Sequence, residues 1–147
     1  MTYLVDSESD TVAPESDDDL IAALNAGIQK RRFEPLERLY DTDRPRLIET
    51  IIAMLDHSDI RVRGEAFGAL MGNRSDISDI LIRHLDSPSS NVRGFLLLVL
   101  ANREDMNCIP KMTELTRDDD SMVRTYAKDS LEFLAARGAG CASSQDS

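Results

Sequence analysis

Tryptophan is absent from this 147-residue chain, and Phe and Tyr bring the aromatic share to only 5%. Gly and Pro are scarce, at seven and five. The apolar bulk comes instead from Leu, Ile, Met and Ala, which suits helices. Cysteine occurs twice, at Cys108 and Cys141, with neither metal-ligand spacing nor a disulfide framework. That excludes a stapled secreted scaffold and fits a reducing cytosol, so a cytoplasmic location is expected. No run of 18 apolar residues exists, so no membrane span is expected. The first 19 residues hold no base and no apolar h-region, so they are no secretory signal.

The net charge is −10, and it is unevenly placed. Seven of the 27 acids fall in residues 1–19, which leaves 20 acids against 17 bases, a net of −3. The body is near neutral and the acidity is a tail. Nucleic-acid binding needs a basic footprint, which is missing. Arg outnumbers Lys 14 to 3, most simply a mark of a GC-rich genome.

Residues 1–17 read as a disordered acidic tail without periodicity, carrying one short apolar trio, Tyr3-Leu4-Val5, as a possible docking motif. Asp17-Asp18-Asp19 then cap an apolar run, predicting helices over about 18–30 and 33–41. Asp43-Arg44-Pro45 opens a further helix, with Asp as its cap. There Leu47, Ile48, Ile51, Ile52 and Leu55 share one face. The next helix is expected over about 60–72. Ser75 is expected to cap a short helix bearing Ile77, Ile80, Leu81 and Leu85, and Asp86-Ser87-Pro88 starts another. A last pair begins near Cys108, turns at Arg117–Asp120 and ends at Gly138, leaving 139–147 as a frayed tail.

One dipeptide sets the register. Val62-Arg63, Val92-Arg93 and Val123-Arg124 lie 30 and 31 residues apart, each between an Asp-bearing turn and an apolar run. A period of this length marks stacked helix pairs. The string Leu55-Asp56, Asp59, Val62-Arg63, Ala66, Leu70 resembles a HEAT repeat of the short kind also called the phycobilisome-lyase-type HEAT-like repeat. Leu85-Asp86, Val92-Arg93 and Leu100 form the second copy, with Leu96 in place of the small residue. Val123-Arg124, Ala127 and Leu131 form the third. The expected fold is therefore all-α, an α-solenoid of about three HEAT-like helix-pair repeats (43–73, 74–104 and 105–138) behind an N-terminal helical cap (18–42).

Stacking is what lets such a pair bury its apolar face. The columns Val62/Val92/Val123 and Leu70/Leu100/Leu131 are the expected seam. The resemblance implies a structural ladder in which Arg63, Arg93 and Arg124 bond turn carbonyls or an Asp of the adjoining repeat, with Asp56 and Asp86 in the turns. It also implies that the second helices line a concave face. Placed at 100° intervals, Arg61, Gly64, Gly68, Met71 and Gly72 lie opposite the core. The same register gives Asn91, Gly94, Leu98, Ala101 and Asn102 in copy two, and Met122, Thr125, Asp129, Glu132 and Phe133 in copy three. Phe95–Leu100 is apolar all round, so Leu98 and Phe95 must be covered by neighbouring segments or by a partner. The candidate partner-binding set is Arg61, Glu65, Met71, Phe95, Leu98 and Tyr126.

Chemistry is hard to find. Deoxyhypusine hydroxylase, a HEAT-type enzyme, carries iron-binding His-Glu pairs after the motif Arg. Here those places hold Gly64-Glu65, Gly94-Phe95 and Thr125-Tyr126. No metal and no cofactor is expected. His57 and His84, near each other by register, lack Cys partners. Cys108 reads as a small buried residue, and nothing near Cys141 activates a thiol. Lys30-Arg31-Arg32 with Arg38, Arg44 and Arg46 is largely offset by Glu34, Glu37, Asp41 and Asp43; the acidic tail is a candidate to fold back on it.

The expected function is a non-enzymatic scaffold or adaptor that binds another protein, as a monomer or with weak self-association. One rival is a lyase-like or accessory protein acting on a tetrapyrrole-bearing, phycobiliprotein-like partner. The other is a small acidic inhibitor or immunity-type protein.

Overall fold

The computed structural model describes residues 16–146, and the backbone alone for 139–146. The Tyr3-Leu4-Val5 trio and most of the acidic tail lie outside the described residues. Ser16 and Asp17 depart from the expected tail. Ser16 is the N-cap of the first helix, its Oγ accepting from Asp19 N–H at 3.2 Å. Asp17 opens that helix, α1 (Asp17–Gln29), where three acidic residues complement the positive end of the dipole.

The described residues form eight α-helices and two 3-10 turns, with no strand among them. Helix α2 (Glu34–Glu37) is shorter than expected, because the chain beyond it tightens into i→i+3 bonds such as Leu39 N to Leu36 O. Three further pairs follow. They are α3 (Pro45–Met54) with α4 (Ile60–Gly72), α5 (Ser78–Arg83) with α6 (Ser90–Asn102), and α7 (Ile109–Leu115) with α8 (Ser121–Asp146). A 3-10 turn, His84–Asp86, extends α5, and another, Met106–Cys108, leads into α7.

The second helices touch in chain order: α4 packs on α6, and α6 packs on α8. Among the first helices, α3 meets α5. Helix α6 is central, and its apolar sequence follows from that place. Leu96, Leu97, Val99 and Leu100 are wholly buried. Val62, Val92 and Val123 are all buried, as the repeat register requires. Leu70 and Leu100 are buried, but Leu131 is only partly so, because among the described residues no helix packs beyond α8.

Three expected caps differ. Asp43 does not cap α3; Arg44 takes that position with no side-chain cap, its own amide held by Thr42 Oγ1 at 3.3 Å. Ser75 does not cap α5. Its Oγ donates instead to the Asp41 carbonyl, tying the second repeat back to the end of the cap, while α5 starts uncapped at Ile77. Gly138 does not end the last helix, which runs to Asp146. No described glycine has a positive φ, so Gly138 makes no left-handed stop.

Candidate functional site

The three motif arginines act alike. Arg63 donates to the His57 carbonyl at 2.8 Å, Arg93 to Ser87 at 2.8 Å and Arg124 to Asp118 at 2.7 Å. Each reaches back six residues and closes the turn before its own helix. The side chain at that turn position accepts from the amide two residues on: His57 Nδ1 from Asp59, Ser87 Oγ from Ser89, and Asp118 Oδ1 from Asp120. Only the third is a carboxylate. It receives both Nε and Nη2 of Arg93 from the repeat before, at 2.9 Å each. Arg63 lacks that second rung because Ser87 stands where Asp118 stands one repeat later. The turn acids also cross between repeats. Asp56 accepts from Asn91 Nδ2 at 3.2 Å, and Asp86 pairs with Lys111.

Beyond this framework, the C-terminal ends of α4 and α6 and the middle of α8 line an apolar groove of about 340 Å³. Met71 comes from α4; Leu98, Ala101 and Asn102 from α6; Asp129, Ser130 and Phe133 from α8. Six of these seven occupy positions that the repeat register places on the concave face. The seventh, Ser130, is buried, and its Oγ donates to the Leu97 carbonyl at 3.3 Å, tying α8 to α6 beside the groove. Phe133 is the most exposed aromatic residue described, at 38%, with Arg137 4.8 Å over its ring.

The six candidate binding residues do not converge. Met71 and Leu98 meet in the groove. Phe95 instead stacks on Phe67, ring centres 5.4 Å apart and tilted 48°, which half-covers both. Tyr126 lies against Gly94, where a Cβ would stand 3.2 Å from its ring and 3.3 Å from Met122 Cε. Arg61 sits over the Phe33 ring at 5.0 Å, at the opposite end of α4 from Met71. Ten residues of helix separate the two, about 15 Å of rise. Glu65 faces Tyr40, whose hydroxyl is held above its ordinary pKa by burial and by the charges of Glu65 and Glu37.

Sequence reasoning overlooked Phe67. It lies two positions past the Glu65/Phe95/Tyr126 column, yet its ring meets Phe95 of that column.

The remaining candidates are occupied locally. His57 caps its own turn, and His84 lies 3.4 Å from Glu49. Cys108 is fully buried and donates to the Asp105 carbonyl; burial and the Asp105 charge push its thiol up to about 12. In the basic segment, Arg31 pairs with Asp59, Arg44 with Asp17 at 2.6 Å and Arg46 with Asp18 at 2.8 Å. Among the described residues no three His, Cys, Asp or Glu gather closely enough to hold a metal ion, and no helix is long and apolar enough to cross a membrane.

No family model, curated protein or solved structure matches the chain.

Proposed function

We propose that the protein is a non-enzymatic adaptor built as a short HEAT-like α-solenoid, and that it docks another protein in the groove between α4, α6 and α8. The solenoid reading is supported by the thrice-repeated Arg-to-carbonyl closure, each spanning six residues and 30 or 31 residues from the next, with the second helices touching in chain order. The docking reading rests on one observation. Leu98 and Phe133 leave apolar surface open in a concavity beside a fully buried core. Ile60 is more exposed, at 74%, but stands alone, as single surface apolar residues commonly do.

Magnitudes limit what the groove does alone. Filling it with one Leu-sized side chain contributes about 2 kcal/mol. Micromolar affinity needs about 8 kcal/mol. The groove is thus an anchor point, and the partner must also touch the rims of α6 and α8.

The test is differential capture from the native cell with three baits: wild type, Leu98→Asp and Ile60→Asp. The groove reading expects a protein held by wild type and Ile60→Asp and lost with Leu98→Asp, whose helical content must match wild type. A partner set identical on all three baits sinks it.

A further inference from the structure

The apolar groove does not end at Asn102. A second hollow of about 550 Å³ shares Met71 and Asn102 with it, so the two adjoin as a trough. Its walls are polar and carry Asp76, Asp79 and Asp105 against Arg74 and Arg103. The two arginines are not equivalent. Arg103 is turned into the fold, its Nη1 and Nη2 donating to the carbonyls of Asn73 and Ser75 at 2.6 Å each. Both arginines keep their charge, so the acids are offset in part. Asp76, Asp79, Asp105 and, in the apolar half, Asp129 form no ion pair among the described residues. Asp105 Oδ1 caps Asn107 N at 3.0 Å, while its buried Oδ2 has no hydrogen-bond partner.

Four carboxylates with no ion pair therefore line the two hollows against Arg74 and Arg103, with Arg137 over the Phe133 ring, which leaves a net negative charge. A concave wall of net negative charge favours a cation that enters it. The acids do not gather as a metal-ligand set, so the charge they suit is a diffuse organic cation. Building on the docking reading above, we propose that the trough selects a basic amphipathic segment of its partner protein. An apolar residue of that segment lodges between Leu98 and Phe133, and a nearby Lys or Arg enters the field of Asp76, Asp79 and Asp105. Complementary charge of this kind sets partner choice and association rate more than total affinity.

The experiment uses the full chain and two labelled model peptides with the same helical Leu pattern, one with Lys and one with Glu on the polar face, read by fluorescence anisotropy. The Lys peptide is expected to bind, and more weakly as salt rises. Asp76→Asn and Asp79→Asn together should weaken it about three- to tenfold, in line with partly exposed charge pairs. Phe133→Ala, at a site 38% exposed, should weaken it by a similar factor with helical content unchanged. Glu34→Gln with Glu37→Gln, equally acidic but on α2, should change nothing.

The outcomes separate the two ideas. If the α2 changes weaken binding as much as those in the trough, the attraction is diffuse and the proposal is wrong. It is also wrong if the Glu peptide binds as well as the Lys peptide and still responds to Phe133→Ala, although the groove then survives. Loss on neutralising the trough acids without loss on Phe133→Ala overturns the apolar groove instead. Binding of neither peptide overturns the proposal.

Discussion

Arg93 and Asp118 form a two-point pair across a repeat boundary, Nε and Nη2 each 2.9 Å from a carboxylate oxygen, with side chains only 15% and 9% exposed. Bidentate, shielded pairs are the strong ones, and breaking one strands the other charge. Asp118→Ala should cost about 3 kcal/mol, the low end for a buried pair, read by urea unfolding. Acid should show the same contact. Burial pushes the Asp118 carboxyl up, but the hydrogen bonds from Arg93 and Asp120 N–H and the charges of Arg93 and Arg124 outweigh it and hold it below the usual range. A depressed folded value gives stability that is full above the unfolded value of about 3.9 and is lost as pH falls through the folded one. Asp118→Asn should flatten that part of the acid-unfolding profile; an unchanged profile would contradict the pair.

A missing rung can be added. Ser87 occupies the Asp118 position one repeat earlier, and its Oγ already accepts from Ser89 N–H at 3.1 Å. Ser87→Asp keeps that acceptor and offers a second oxygen to Arg63. We expect a gain of up to about 1 kcal/mol, a few degrees in Tm, shrinking at high salt. A lower Tm would show that the repeat boundaries are not equivalent.

Two glycines should respond with opposite signs to the same substitution. At Gly27 a Cβ would lie 2.6 Å from the Arg32 carbonyl oxygen, where α1 meets the next turn, and backbone has to move. Gly27→Ala should cost about 1–3 kcal/mol, as overpacking does. At Gly64, inside α4, nothing lies within 4 Å. Gly64→Ala should stabilise by up to about 1 kcal/mol through helix propensity. Denaturation midpoints of the two variants test both signs.

These contacts show which parts of the molecule were legible. The Val-Arg register located the buried column Val62, Val92 and Val123, and it bounded α4 at the residues observed, because both depend on local period. It also named most of the groove. The caps were less readable, since Ser75 answers to a carbonyl 34 residues away. A helical wheel puts Arg61 and Glu65 beside Leu98 because it fixes angle and ignores rise. Phe67 escaped because it meets Phe95 on a diagonal that no single column contains.

Cys108 should be inert. Burial and the Asp105 charge raise its thiol to about 12, against about 8.5 in an unfolded chain. In a Cys141→Ser background, a thiol reagent at pH 8 should label Cys108 only at the rate of global unfolding. The raised value gives stability that is full below about 8.5 and is lost as pH rises toward 12. Fast native labelling would contradict the packing around α7.

The central claim is that the groove between α4, α6 and α8 holds a partner. A photo-reactive benzoylphenylalanine at Phe133, on the groove rim, tests it most directly, with the same residue at Ile60 as the exposed control. Irradiation in the native cell should give one defined heavier species from position 133, absent from position 60 and abolished by Leu98→Asp. Identical products from both positions, or none from position 133, would contradict the account.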